Sequence, residues 1–485
     1  KGGPAFFSLS PFDAARYARL LEGLEVAEVL LSDLEFSGRL DAEYYRPAHL
    51  KAETIVSQRG GLPLGNVCDF LIGPFGSAFT VENYCDEPTY RYIRGKDVKQ
   101  MAIAENDNVY MPKSDFDRLA KYSLKAGDVL VSVVGTLGNS ALVEAQHVPA
   151  IFSCKSTVLR AKGIDPRYLI AYLNCSYGRS LLMRKERGAV QKGLNLDDLK
   201  SLLVFSPDKL MQTKIAELHQ LAGQAEINSK NALAKAEEAL LQSLGLANWE
   251  TPEPLSYVRH SSEAFAAGRL DADYFRPRVL ALMDLLGRDG LTLGEVAPAR
   301  HEIFKPREAG ATFDYIEIGD MRNDGTVGAT ELATTDAPSR ATQHVRAGDV
   351  LTSTVRPIRR LSAVVGPTQD GAVCSSGFVV LNPIKVSPST LVTYLRLPGI
   401  CELMDLHTSA SLYPAISERD LLRLPIPHIS EAAQQAIDTY VGAAHSAKQR
   451  ATQLLEAAKR AVEIAIEASE AAALAYVHEV VSTVH

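Results

Sequence analysis

Cysteine is scarce and scattered in this chain of 485 residues. Its six cysteines are Cys68, Cys85, Cys154, Cys175, Cys374 and Cys401, and no two stand at C-x-x-C spacing. That excludes the common structural zinc sites, and isolated thiols in a long chain fit a reducing, cytoplasmic setting. No stretch approaches ~18 uninterrupted apolar residues, so no membrane span is expected. Residues 1–11 lack a basic segment followed by an apolar core, so they do not read as a secretory signal. The first residue is Lys1 rather than Met, as in a trimmed start. Excess positive charge is missing too. There are 51 Lys and Arg against 58 Asp and Glu, a net charge of −7. This argues against a protein that coats nucleic acid without regard to sequence. The balance is even locally, with 18 basic against 15 acidic residues in 62–207 and 13 against 14 in 298–425.

Catalytic signatures are also wanting. There is no G-x-x-x-x-G-K-[ST] phosphate loop and no Gly-x-Ser-x-Gly elbow, so neither an ATP motor nor that hydrolase chemistry is expected. The single Asn-Pro, Asn382-Pro383, continues as Ile384-Lys385 rather than as an adenine-methylating Asn-Pro-Pro-Tyr loop. Asp128 and Asp349 open matched apolar runs and read as turn residues rather than metal ligands.

What the chain does have is itself, twice. Gly38-Arg39-Leu40-Asp41-Ala42-Glu43-Tyr44-Tyr45-Arg46-Pro47 returns 230 residues later as Gly268-Arg269-Leu270-Asp271-Ala272-Asp273-Tyr274-Phe275-Arg276-Pro277. In the same order, Leu64-Gly65 answers Leu293-Gly294, Ala126-Gly127-Asp128-Val129-Leu130 answers Ala347-Gly348-Asp349-Val350-Leu351, and Tyr172-Leu173 answers Tyr394-Leu395. The offset drifts to about 222, which places small insertions in loops. Hydrophobic residues at 46% and charged residues at 22% suit a globular chain of two or three domains.

Each copy has the same plan. β-branched or alternating runs at 129–134, 150–159, 350–354 and 378–381 predict strands. Proline-started helices follow near 166–174 and 388–397. A long helix then closes each copy. Met211, Ile215, Leu218, Ala222, Ala225, Ser229, Ala232 and Ala236 step by fours and threes. So do Ile437, Val441, Ala444, Lys448, Ala451, Leu455, Ala458, Val462, Ala465, Ser469 and Ala472. Such spacing predicts two antiparallel coiled-coil helices, and ~35 residues at 1.5 Å per residue span roughly 50 Å. The expected boundaries are an N-terminal helical segment 1–30, a first domain 31–207, a central helix 208–250, a second domain 251–428 and a C-terminal helix 429–485. Tyr44, Tyr45, Tyr274 and Phe275 are expected as packing anchors where helix meets domain.

The repeated G-R-L-D-A-E-Y-Y-R-P, with Gly73-Pro74-Phe75-Gly76-Ser77, Ala126–Leu130 and Gly135-Thr136-Leu137-Gly138-Asn139, resembles the specificity subunit of type I restriction-modification systems. In the second copy, Ser411-Leu412-Tyr413-Pro414-Ala415-Ile416-Ser417 resembles the loop before that family's last strand, with Gln191–Leu196 as its counterpart. The resemblance runs from about Ser32 to Ala475. It implies two mixed α/β target-recognition domains in tandem, separated by two long antiparallel helices and related by a pseudo-twofold. Each domain would read one half of a bipartite double-stranded DNA target. The helices would set the unread spacer and dock two adenine methyltransferase subunits, and motor-nuclease subunits join to complete a restriction complex. The chain itself would be no enzyme and would bind no cofactor, with S-adenosylmethionine held by the methyltransferase partners. The second copy departs by lacking G-P-F-G-S, reading Arg300-His301-Glu302-Ile303-Phe304-Lys305-Pro306 instead.

DNA reading needs amides, hydroxyls and cations for phosphate and polar side chains for base edges. The first copy offers Gly73, Phe75, Gly76, Ser77, Thr136, Asn139 and Lys155 with Ser156 beside it. It adds a basic run of Arg179, Arg184, Lys185, Arg187, Gln191 and Lys192, expected in loops. The second offers Thr354, Arg356, Arg359, Arg360, Ser409, Ser411 and Tyr413. Two other readings compete: a DNA-binding subunit of a different modification or defence complex, and a scaffold that binds only proteins.

Overall fold

The computed structural model describes residues 13–483 apart from 106, 189–191, 309 and 410–413. Packing divides the chain into two compact units, Lys1–Gly223 with Arg450–His485, and Gln224–Gln449.

In the first unit, helix α1 (Pro47–Gln58) begins on its proline, whose missing N–H costs nothing in a first turn. One sheet is antiparallel, in the order β1 (Cys68–Ile72), β7 (Ser156–Ala161), β4 (Val129–Ser132), β5 (Ser140–Leu142). In the other, β2 (Tyr90–Ile93) pairs antiparallel with β3 (Tyr110–Met111) and parallel with β6 (Ala150–Phe152). All of β4 is buried, which is why it reads as an unbroken apolar run rather than an alternation. The run 150–159, expected as one strand, is two. Residues 153–155 form a loop by which the chain leaves one sheet and joins the other.

Helix α2 (Pro166–Asn174) is capped by Asp165, whose carboxylate accepts from Arg167 N at 2.7 Å. Its Tyr168 and Tyr172 are fully buried, yet their hydroxyls donate to Phe205 O and Leu203 O, each at 2.7 Å. Left unpaired, each would cost about 1–3 kcal/mol. A second helix, α3 (Ser176–Arg184), follows at once. It carries part of the basic run that was expected in a loop, and the long helix α4 (Lys209–Leu244) comes next.

The second unit repeats this frame. After α5 (Pro277–Leu286) come β8 (Thr312–Ile316), β9 (Thr330–Ala333), β10 (Ala341–His344), β11 (Val350–Ser353), β12 (Ser362–Val364), β13 (Val373–Ser375) and β14 (Phe378–Leu381). The order β12-β11-β14 matches β5-β4-β7, and β8 runs parallel to β13 as β2 does to β6. Helices α6 (Pro388–Leu395) and α7 (Pro398–Leu406) stand for α2 and α3. Among the described residues β1 has no counterpart beyond a single bridge, Ala299 to Leu381.

The repeat is visible in its fastenings. Arg39 clasps Asp41 and donates to Glu186 O at 2.6 Å, while Arg269 clasps Asp271 and donates to Leu406 O at 2.7 Å. Tyr44 and Tyr45 meet edge to face at 4.9 Å, and Tyr274 and Phe275 at 5.0 Å, so these rings pack where packing anchors were expected. Gln212 accepts the amide of Asp165 at 2.9 Å, and Gln434 that of Ser387 at 2.8 Å.

The boundary between the units falls inside both long helices, α4 and α8 (Glu431–Glu467). Met211, Ile215, Leu218, Ala222, Ala225, Ser229 and Ala236 are buried as the seam predicts, as are Ile437, Val441, Ala444, Ala451, Ala458, Val462 and Ala465. Within the second unit Glu226 meets Lys448 at 2.6 Å, and Ala236, Leu240 and Leu244 share a core with Ile437 and Val441, so the segments run antiparallel there. That ion pair explains the one polar break in the seam. The expected seam fails at three places. Ala232 is only half-buried. Leu454 rather than Leu455 is fully buried, and α8 ends before Ser469, where a separate helix α9 (Glu470–Thr483) starts and buries Ala473 and Val477. The Ser469 hydroxyl accepts the Ala472 amide, capping the new helix.

Candidate nucleic-acid interface

Three loops of the first unit meet at Val133, just past the end of β4. Val133 N donates to Lys155 O at 2.9 Å, and Val133 O accepts from Leu194 N at 3.0 Å. The β4–β5 turn, the 153–155 loop and the loop after α3 are thereby tied together. A fourth segment, 73–77, lies against them, because a Cβ on Gly73 would sit 2.5 Å from Ser153 O. That glycine is a packing requirement as well as a candidate for phosphate. The structure thus brings together Gly73, Phe75, Gly76, Ser77, Thr136, Asn139, Lys155, Arg187 and Lys192.

Their side chains are not equivalent. Phe75 is 86% exposed, and Ser77, Thr136 and Lys155 are exposed as well. Asn139 instead pins the turn, donating to Val98 O at 3.2 Å and accepting from Arg179 at 3.4 Å. Ser156 is buried. Arg187 grips Asp198 at 2.5 and 3.0 Å, which holds its guanidinium above its ordinary pKa. Lys192 pairs with Glu186 at 2.8 Å, a hydrogen bond that raises its pKa. Arg184 is turned inward: it lies 4.1 Å over the Tyr44 ring, pairs with Glu53 and donates to Tyr44 O. Burial holds Lys185 beneath the usual lysine range, and its ammonium donates to Ser201. Arg184 and Lys185 therefore fasten the core rather than form a loop surface. Gln191, Ser411 and Tyr413 lie outside the described residues, and the side chain of Ser409 is not described.

The second unit builds the same junction at Thr354. Thr354 N donates to Gly377 O at 2.9 Å, and Thr354 O accepts from Ile416 N at 3.0 Å. The turn itself differs. In the first unit, Gly135 and Gly138 supply its left-handed residues at φ +89° and +72°. In the second, Arg356 and Arg360 hold left-handed conformations at +50° and +59°. Non-glycine residues there cost on the order of 1–3 kcal/mol each and persist where the surroundings enforce them. The enforcement is visible. Arg356 N donates to Pro414 O at 2.9 Å, Arg360 pairs with Glu237 at 2.6 Å, and Arg360 O accepts from Arg396 at 3.1 Å. Arg359 and Ile358 stand out at the tip, Ile358 being 57% exposed. Ile358 and Gly377 were missed in the sequence. Counting the repeat through from Lys155 would have found Gly377, whereas Ile358 has no signal but its place between arginines.

Asp128 and Asp349 are turn residues. Each accepts an amide three residues before it, Lys125 N or Arg346 N, at 2.9 and 2.8 Å. Each also pairs with an arginine, Arg160 at 3.0 Å or Arg300 at 2.8 Å. Among the described residues no group of three His, Cys, Asp or Glu is placed to hold a metal, and no helix is long and apolar enough to cross a membrane.

Residues 63–238 match the family model described as "Type I restriction modification DNA specificity domain". The match covers 176 of the 485 residues, the first copy of the repeat and most of the long helix that follows it. That family is the non-catalytic specificity subunit of type I restriction-modification systems. No curated protein matches the chain. Among solved structures, the type I S subunit from M. genitalium is similar at 14% identity, covering 84% of this chain and 94% of its own, with a TM-score of 0.36. The HsdS subunit from Thermoanaerobacter tengcongensis is similar at 17% identity, covering 84% and 96%, with a TM-score of 0.28. The specificity-domain match stops at residue 238, and the second junction is tied to it by the internal repeat.

Proposed function

We propose that the chain is the DNA sequence-specificity subunit of a type I restriction-modification complex working in the cytoplasm. Each unit reads one half of a bipartite double-stranded target through its three-loop junction. The long helices set the unread spacer and dock two methyltransferase subunits, which carry S-adenosylmethionine, and motor-nuclease subunits complete the restriction complex. Domains bounded at 31–207 and 251–428, flanked by helical segments 208–250 and 429–485, fit this division of labour.

The observation that carries the reading is the doubled junction. The same two backbone hydrogen bonds recur at Val133 and Thr354 while the side chains around them differ. A duplicated frame with diverged tips suits two readers of unlike half-sites. Phosphate contacts would come from backbone amides and exposed cations, base contacts from polar tips. The even local charge favours a subunit that holds DNA firmly only together with its partners.

Exchanging residues 62–207 for those of another family member, followed by methylome sequencing, tests it. One half-site should change and the other persist. A change in both, or in neither, contradicts the reading.

A further inference from the structure

The first unit fills the space around Tyr44 with its own cations. Arg39 lies 4.5 Å from the ring centroid and Arg184 4.1 Å. Arg184 reaches Glu53 of α1, and nearby Arg187 occupies Asp198. Carried through the repeat, Tyr44 becomes Tyr274, Arg39 becomes Arg269 and Asp198 becomes Asp420. The rest of the set is lost: Arg184 becomes Leu406, Glu53 becomes Met283 and Arg187 becomes Ser409. Arg269 still covers Tyr274 at 4.5 Å, but among the described residues no second cation does. A cavity of about 470 Å³ stands there instead, lined by Tyr274, Met283, Leu403, Leu406, His407 and Asp420 among others.

We propose that this cavity seats the arginine side chain of a partner protein. Its methylene stem would lie along Met283, Leu403 and Leu406, and its guanidinium between Tyr274 and Asp420.

The chemistry matches what the first unit does with its own arginines. A tyrosine face attracts a guanidinium, and the apolar stem of arginine covers apolar surface. Asp420 accepts the Ser417 hydroxyl at 2.7 Å and, as a carboxylate, keeps further lone pairs for a forked donor. The cations already present do not oppose this strongly. Arg269 is clasped by Asp271 at 2.7 Å. Burial, and then Arg269, hold His407 below its ordinary pKa, so it is neutral at pH 7. Arg423 also lines the cavity, but it is exposed, where water and salt screen it, and the first unit has Ser201 in its place.

The test titrates the full chain with N-acetyl-argininamide and follows the Met283 methyl resonance by NMR. N-acetyl-glutaminamide and inorganic phosphate serve as comparison ligands. Argininamide should shift Met283 with a roughly millimolar Kd, as a single side chain binds weakly. Asp420→Asn should weaken it about tenfold, and Arg423→Ser should tighten it a few-fold. Leu406→Arg, which restores the first unit's own filling, should abolish it. Should that variant fail to fold, Asp420→Asn decides alone. A response to phosphate, an equal response to the glutamine analogue, indifference to Asp420→Asn, or no response to argininamide overturns the proposal.

Discussion

The two units close the same strand pair in opposite ways. Where the first turns on Gly135 and Gly138, the second forces Arg356 and Arg360 into the left-handed region and lifts Ile358 and Arg359 to the tip. Where the first packs Arg184 against Tyr44, the second leaves a cavity. Much of the frame is common to both, down to the glutamine at the start of each long helix and the tyrosine, Tyr172 or Tyr394, whose hydroxyl donates to a backbone carbonyl, Leu203 O or Pro425 O. The lesson is a separation of labour. Buried hydrogen bonds that fix loop positions are kept, and what the loops present is free to diverge.

The largest effect should come from breaking the frame where the copies use opposite volumes. A Cβ on Gly178 of α3 would lie 1.9 Å from Tyr172 O, whereas the matching Ile400 of α7 is buried at 1% exposure. Gly178→Ala should cost about 3 kcal/mol or more by overpacking, and Ile400→Ala about 2–5 kcal/mol by leaving a void. Hydrogen exchange should localise the first loss to unit 1 and the second to unit 2. Losses spread over both units would mean that they do not fold separately. A smaller effect should sharpen the contrast at the tips. Arg359→Ala should lower the slope of log K against log salt for the assembled complex by about one, the value of one lost phosphate contact. Thr136→Ala, removing a neutral tip, should leave the slope unchanged.

Much of the frame was legible because duplication writes each constraint twice. The matched motifs recur at equivalent places in the two units, and α2 was found to the residue because Asp165-Pro166 is a strong start signal. The break in the C-terminal helix at 468–469 was hidden, since Ala and Ser continue the step pattern while the helix does not. Helix α3 was hidden for a related reason. Its arginines looked like a solvated loop, but Arg184 is buried by a glutamate from α1 and a ring far away in sequence, contacts that no local pattern records. The candidate loops were found individually. Their convergence rests on hydrogen bonds between residues 22 and 61 apart, such as Val133 to Lys155 and to Leu194, which only the folded chain shows.

The central claim is that both junctions face DNA, each at its own half-site. Photocrosslinking tests it most directly, with p-benzoylphenylalanine placed in turn at the exposed positions Phe75 and Ile358 of the assembled complex on its target. The account predicts that Phe75 crosslinks map to one half of the site and Ile358 crosslinks to the other. Crosslinks from both positions to the same half, or to protein alone with none to DNA, would contradict it.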